Sequence, residues 1–363
     1  MNTTEGYFEG GAEPPFVVFT GNPGVRESLL FTGNPGKVCK MRFHIPNSAF
    51  LGNINHFLNG FDPSDPETLE ISANLKWISV HPVVLCMIAA IGKPVRPENV
   101  SCEIVAKSGH YLKRMGLYDF LGIDSGIKVE EHEPAGRFIP LTQIQTSDNL
   151  TRFLTEMLPL LHLDPLYVQP IQYTISELVR NVLEHAYAPD GAILAAQYFK
   201  KSNTIRIGIV DTGIGIKESI SDSYPASSDM HAIQLALTPG ITGTTRRLGG
   251  SEQNAGAGLF FIKTIAYFNR DPFVIYSGSA MYKLLKRPKD GSIFLRGDPF
   301  ADRHSKETNL PYWKGVVVGI DIGLTSTQRF ANVLASVQDF YFRDLKQRKK
   351  AKYKRLKKPV FAA

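Results

Sequence analysis

The segment SELVRNVLEHA, Ser176 to Ala186, lines up side chains that can do chemistry. Glu177, Asn181, Glu184 and His185 recur at i, i+4, i+7 and i+8, the spacing that brings side chains to one face of an α-helix. Leu178, Val182 and Leu183 flank that polar stripe. A carboxylate there can accept a proton, and a carboxamide oxygen is a hard ligand for a hard cation. Two glycine-containing segments follow. DTGIGI, Asp211 to Ile216, comes straight after a strand pattern. Asp211 would end that strand with its carboxylate free to accept hydrogen bonds. Gly213 and Gly215 would let the backbone turn tightly and a flat ligand approach. In NAGAGLFFIKTIAYF, Gly256 and Gly258 precede an apolar helix pattern. Amides at a helix start face an anion, and the helix dipole favours it. Taken singly, each segment also fits an ordinary turn or close helix–sheet packing.

The elements around these segments are legible. GAILAAQYF and NTIRIGIVD read as strands joined by the polar KKSN, and GVVVGIDIGL reads as a closing strand. Between about Met41 and Leu141, strand patterns (MRFHI, LEISANLKWIS, SCEIVAK) alternate with helix patterns. The helix patterns are SAFLGNINHFLNGF, HPVVLCMIAAIG and SGHYLKRMGLYDFLG, the last ended by Gly122. FIPL closes the region. The fold class expected is therefore α/β. His81 and His110 are isolated and are expected in core or capping roles. QTSDN forms a polar joint, with Ser147 or Asp148 as cap of the next helix pattern, LTRFLTEMLPLL. The boundaries expected are a leader over residues 1–37, an α/β domain over 38–144, a second domain over 145–325 and a helical basic tail over 326–363. The leader holds FTGNPG twice, as turn chemistry.

Composition removes several classes. Among 363 residues there are three cysteines, Cys39, Cys86 and Cys102, with no CxxC pair. That argues against a disulfide framework or a zinc site. VVLCMIAAI is too short an apolar run to cross a bilayer, and the amino terminus lacks a signal-peptide pattern. A cytoplasmic protein with no membrane partner is expected. The formal net charge of +7 is local: ten Lys/Arg and one Asp lie between Arg343 and Lys358, which leaves −2 on the rest of the chain. Such a tail is expected to be a solvated, mobile end ahead of a nucleic-acid or acidic-membrane arm.

Taken together and in order, ExxxNxxEHA on a helix, a strand ending in DxGxG, and GxG opening a helix resemble the GHKL ATPase superfamily over roughly Asn149 to Leu324. That superfamily includes DNA gyrase, MutL, histidine kinases and anti-sigma-factor kinases. The resemblance implies a Bergerat-type α/β sandwich that binds ATP and Mg²⁺. By this likeness Glu177 polarises the attacking water or hydroxyl, Asn181 ligates Mg²⁺, and Asp211 accepts the adenine amino group. Gly213 and Gly215 lie beside the base, and the amides of Gly256 and Gly258 hold the phosphates. The span between the glycine boxes is where the family keeps its lid, and there Thr242, Thr244, Thr245, Arg246 and Arg247 would reach the phosphates. Glu184 and His185 take supporting roles. Phe260 departs from the family, which often has a glycine at that point; the change is expected to alter helix packing. EHAY, Glu184 to Tyr187, is similar to the anti-sigma kinases. The order of elements in the first region resembles a STAS-like domain, with Ser79 and Ser108 as weak matches to its phosphorylatable serine.

The expected function is Mg-ATP binding coupled through hydrolysis or phosphoryl transfer to a regulatory switch, as in anti-sigma-type serine/threonine kinases. A nucleotide-dependent interaction module with negligible turnover is the alternative, as is a mechanical ATPase working with a partner. A protein partner or a homodimer is expected. A histidine-kinase role is disfavoured, because His162 in LPLLHLDP lacks the usual neighbours and is bracketed by Pro159 and Pro165.

Overall fold

A computed structural model describes residues 40–62, 67–74, 77–104, 106–128, 138–241, 258–288, 293–324 and 330–356. The expected leader and its FTGNPG pair lie outside the described residues. The described elements begin with β1 (Met41–Ile45), β2 (Ser48–Ala49), α1 (Asn55–Leu58), β3 (Phe61–Asp62), β4 (Leu69–Ala73) and β5 (Ser79–Val80). Then come α2 (Pro82–Gly92), β6 (Val100–Glu103), α3 (Ala106–Arg114) and α4 (Leu117–Leu121). β7 (Phe138–Ile144), α5 (Ser147–Arg152), α6 (Pro165–His185), β8 (Ala192–Phe199), β9 (Thr204–Val210), α7 (Gly215–Ser221) and α8 (Asp229–Ala236) follow. The rest is α9 (Gly258–Asn269), β10 (Phe273–Gly278), β11 (Ala280–Leu284), β12 (His304–Glu307), β13 (Trp313–Gly323) and α10 (Phe330–Leu356). The mixed α/β class agrees with the sequence reading.

Two main sheets organise these elements. One has four strands in the order β3-β1-β4-β6. Its β1–β4 and β4–β6 pairs are parallel, and β3 runs antiparallel at the edge. The other has seven strands, β12-β11-β10-β13-β9-β8-β7, and every pair in it is antiparallel. FIPL, assigned above to the first region, therefore belongs to the second sheet. As β7 it pairs with the outer edge of β8 and satisfies backbone groups that would otherwise be open.

Alternation along the strands of the seven-stranded sheet sends side chains to two different cores. Leu194, Ala196, Ile207, Ile209, Ile275 and Val318 enter one core with α6, α8 and α9. Ile193, Ala195, Val210, Val274, Tyr276 and Val317 enter the other, with the first four strands' residues and α2. A sheet covered on both faces explains why its strands read as nearly continuous apolar runs.

α2 is buried along almost its whole length, from Pro82 to Ala90. It packs so closely on β9 that a Cβ at Gly208 would stand 2.3 Å from the Val83 Cα. Its other end lies against the first sheet and α4, where Gly92 faces Leu69 and Leu121. His81 caps this helix, as a capping role predicts: its Nδ1 accepts from the Val83 N–H at 3.1 Å. The ring proton therefore sits on Nε2, which donates to Asp321 Oδ1 at 3.2 Å. Burial lowers the His81 pKa, opposed by Asp321, so the ring is neutral at neutral pH. Arg206, whose guanidinium lies 4.2 Å from the Phe50 ring centre and 4.0 Å from that of Phe199, completes the joint by donating to Asp321 Oδ2. His110 is exposed on α3 and has neither expected role. Its position on the charged side of an amphipathic helix decides this.

Three local expectations are corrected. The cap of α5 is Thr146, whose side chain accepts from the Asn149 N–H at 3.1 Å, rather than Ser147 or Asp148. LTRFLTEMLPLL is α-helical only to Arg152, then passes through a π-helical and a 3-10 turn; Pro159, lacking an N–H, cannot continue the α pattern. The carboxy-terminal segment, expected as a solvated end, is not free along its first turns, up to Leu345. α10 docks on α9, burying Val333, Val337, Tyr341 and Leu345 against Phe260, Phe261 and Ile265. Phe260 is fully buried there and stacks with Phe340.

Asp271, buried at the entry to β10, accepts from the Gly323 N–H at 3.1 Å. Burial pushes its pKa up to about 7, with Asp321 adding and the Gly323 N–H opposing. A folded pKa above the unfolded value means that ionising Asp271 destabilises the fold, fully above pH 7 and progressively less as pH falls. Asp271→Asn keeps the acceptor oxygen. It is expected to raise stability by roughly 2–4 kcal/mol at pH 8, with the gain shrinking toward pH 5. Denaturant midpoints at the two pH values check this.

Candidate functional site

A cleft of about 150 Å³ opens between the seven-stranded sheet and α6, α7 and α9. α6 contributes Glu177, Asn181, Val182, His185 and Ala186, the end of β9 contributes Ile209 and Asp211, and α9 contributes Gly258 and Leu259. The helix, the DTGIGI loop and Gly258 at the start of α9 thus meet in one place.

α6 positions its polar stripe by burying its other sides. Leu178, Val179 and Val182 pack into the sheet core, while Glu177 and Asn181 stay half-buried at the cleft. Neither Glu177 nor Asn181 makes a side-chain hydrogen bond or ion pair among the described residues. Burial raises the Glu177 pKa, with Arg180 opposing and Glu184 adding. Its carboxylate lies against the start of α9: a Cβ on Gly258 would stand 2.6 Å from Glu177 Oε2. Glu184 is exposed and sits 3.8 Å from His185 Nε2, at the margin of the cleft.

Asp211 forms the floor and is almost fully buried. Its backbone N–H donates to the Val316 carbonyl at 3.0 Å, and its carbonyl accepts from the Trp313 indole at 3.0 Å. One carboxylate oxygen accepts from the Gly213 N–H at 2.8 Å. Burial pushes its pKa up to about 7, although the Gly213 and Val316 amides oppose the shift. The loop is stitched to the end of α6, where the Ile214 N–H donates to the Ala186 carbonyl at 2.8 Å. Gly213 is required at that seam, because its Cβ would stand 2.1 Å from the same carbonyl oxygen. Gly215 adopts φ +78° and starts α7.

Three supporting residues were missed by the sequence reading. Ser277 Oγ donates to the Gly315 carbonyl at 2.7 Å and accepts from the Ile216 N–H at 3.0 Å, tying β10 and β13 to α7. Gly315 lies against Asp211, whose carbonyl oxygen would be 2.2 Å from a Cβ there. Trp313 is fully buried beneath the loop. A glycine inside a strand pattern signals close backbone approach, so Gly315 had a usable signal; Ser277 and Trp313 had none. Thr242, Thr244, Thr245, Arg246, Arg247 and Gly256 lie outside the described residues.

The donor set is suited to some ligands and not to others. No group of three or more His, Cys, Asp or Glu side chains that would hold a metal by itself occurs among the described residues. A single carboxamide beside a cleft suits Mg²⁺, which keeps most of its shell from water and phosphate. Ile209, Ile216, Leu259 and Val318 give apolar walls above a buried acceptor, an arrangement suited to a flat ring carrying a donor. No helix among the described residues is long and apolar enough to cross a membrane.

No family model matches the chain, and no curated protein matches it.

Proposed function

We propose that the chain is a GHKL-type ATP-binding protein that couples Mg-ATP binding, with hydrolysis or phosphoryl transfer, to a regulatory switch. The convergence of Glu177, Asn181, Asp211 and Gly258 on one cleft carries this reading. These are the residues that the resemblance assigns to base, metal, adenine and phosphate. The layer of α6 and α9 over an antiparallel sheet supports a Bergerat-type sandwich, and the order of elements from β1 to α4 supports a STAS-like neighbour.

Asp211 holds the adenine amino group as acceptor, and the apolar walls exclude water from the ring. The α9 start turns its first amides toward phosphate. Asn181 offers its side-chain oxygen to Mg²⁺, which when bound would neutralise phosphate charge. Glu177 takes the proton from a water or a protein hydroxyl. Its raised pKa favours that role, since a base acts best near the working pH.

Asp211→Asn tests the assignment. It replaces an acceptor by a group that also presents donors, and ATP is expected to bind about 10- to 100-fold more weakly by calorimetry. The pH dependence follows from the pKa of about 7 in the free protein. Protonation below that value removes the acceptor, so adenosine, which does not titrate in this window, should bind roughly tenfold more weakly at pH 6 than at pH 8. The Asn variant should lose that dependence. Wild-type affinity in the Asn variant would remove Asp211 from the adenine site.

A further inference from the structure

We propose that α10 is a nucleic-acid-binding arm whose outer face grips the phosphate backbone of a single strand. This does not rest on the nucleotide reading, because it uses no residue of the cleft. α10 docks through one face and presents the other. Val333, Val337, Tyr341 and Leu345 succeed one another at i+4 and are buried against α9. At about 100° per residue, Arg343, Lys346 and Lys350 project from the opposite side, and all three are exposed. They stand one turn apart, a rise of about 4.5–6 Å, and Lys354 continues the spacing in the sequence.

This charge is not neutralised internally. Asp344, the one carboxylate between Arg343 and Lys358, lies 2.7 Å from Arg348. Lys346, Lys349 and Lys350 have no ion pair among the described residues. Phe342, 65% exposed, stands at the edge of the basic face one turn before Lys346. A row of unpaired cations beside an exposed ring matches a polyanion that also offers flat faces to stack. An acidic membrane fits less well: the apolar stripe of α10 is already spent on α9, which leaves no apolar face to insert.

The test uses the full chain and fluorescence anisotropy. Its probes are a short labelled DNA single strand of mixed sequence, the same sequence as duplex, and phosphatidylserine-containing vesicles. The single strand is expected to bind at 50 mM salt, with log K falling linearly in log[salt] by about 0.7 per phosphate contact. Lys346→Glu/Lys350→Glu should weaken binding at least tenfold and flatten that slope, with circular dichroism unchanged. Phe342→Ala should weaken the single strand by about 5- to 100-fold and the duplex much less. The proposal is overturned if no strand is retained at 50 mM salt or if the double variant binds as wild type. An unaffected Phe342→Ala protein, or capture by vesicles in preference to the strand, also overturns it.

Discussion

Glu177→Ala is expected to lower phosphate release or autophosphorylation by about 10²- to 10⁴-fold while leaving ATP affinity within a few-fold of wild type. The size follows from its placement. Glu177 is half-buried beside the opening of α9, its pKa is raised by burial, and Glu184 adds to the shift. Arg180, the charge that opposes the shift, is exposed and its effect is screened. Among the described residues that line the cleft, Asp211 is the other carboxylate, and it is buried on the floor with one oxygen held by the Gly213 amide. In the proposed site it serves recognition, so it is not expected to substitute as base. Glu177→Gln keeps the shape and serves as the paired variant. Turnover unchanged by either substitution would defeat the enzymatic reading. A wild-type chain that binds ATP without turnover would instead favour a nucleotide-dependent interaction module.

Gly208→Val is expected to have the largest effect on stability. The Cβ it introduces would meet the Val83 backbone at 2.3 Å and its nitrogen at 2.4 Å. Backbone cannot rotate away as the end of a side chain can. Relief would require α2 to lift off β9 and break the contact between the Cys86 thiol and the Gly208 carbonyl, 3.5 Å apart. α2 is shared by both sheets, so lifting it opens the core that joins them. A cost of about 3 kcal/mol or more is expected, a large part of the roughly 5–15 kcal/mol that holds a typical domain folded. The denaturant midpoint should fall steeply, with insoluble expression as the extreme outcome. Gly52→Ala, where a Cβ meets nothing within 4 Å, is the control. A Gly208→Val protein with a wild-type midpoint would show that α2 does not lie against β9 in solution.

Much of this arrangement was written locally. SELVRNVLEHA forms a helix face by its spacing alone, and strand-forming runs such as NTIRIGIV and GVVVGIDIG carry their period in the sequence. Gly122 ends α4 in a left-handed conformation, as a helix-stopping glycine does. The grouping of Glu177, Asn181, Asp211 and Gly258 was legible only because three ordered segments were read together; no single segment specified it.

Other features depend on contacts between distant parts of the chain. FIPL has no local mark that assigns it to one sheet or another; the open edge of β8 decided that. The basic tail reads as solvated because charge dominates its composition, whereas its i+4 apolar stripe becomes meaningful only when α9 offers Phe260 and Ile265 to cover it. Ser277 and Trp313 act through hydrogen bonds to residues remote in sequence, and such bonds leave no periodic trace. Sequence by itself determined the α/β class and the strongly periodic segments, such as α6 and β9, because periodicity and turn residues act over a few neighbours. Tertiary structure alone decided which faces meet, because burial depends on what the rest of the chain brings to each side of the seven-stranded sheet.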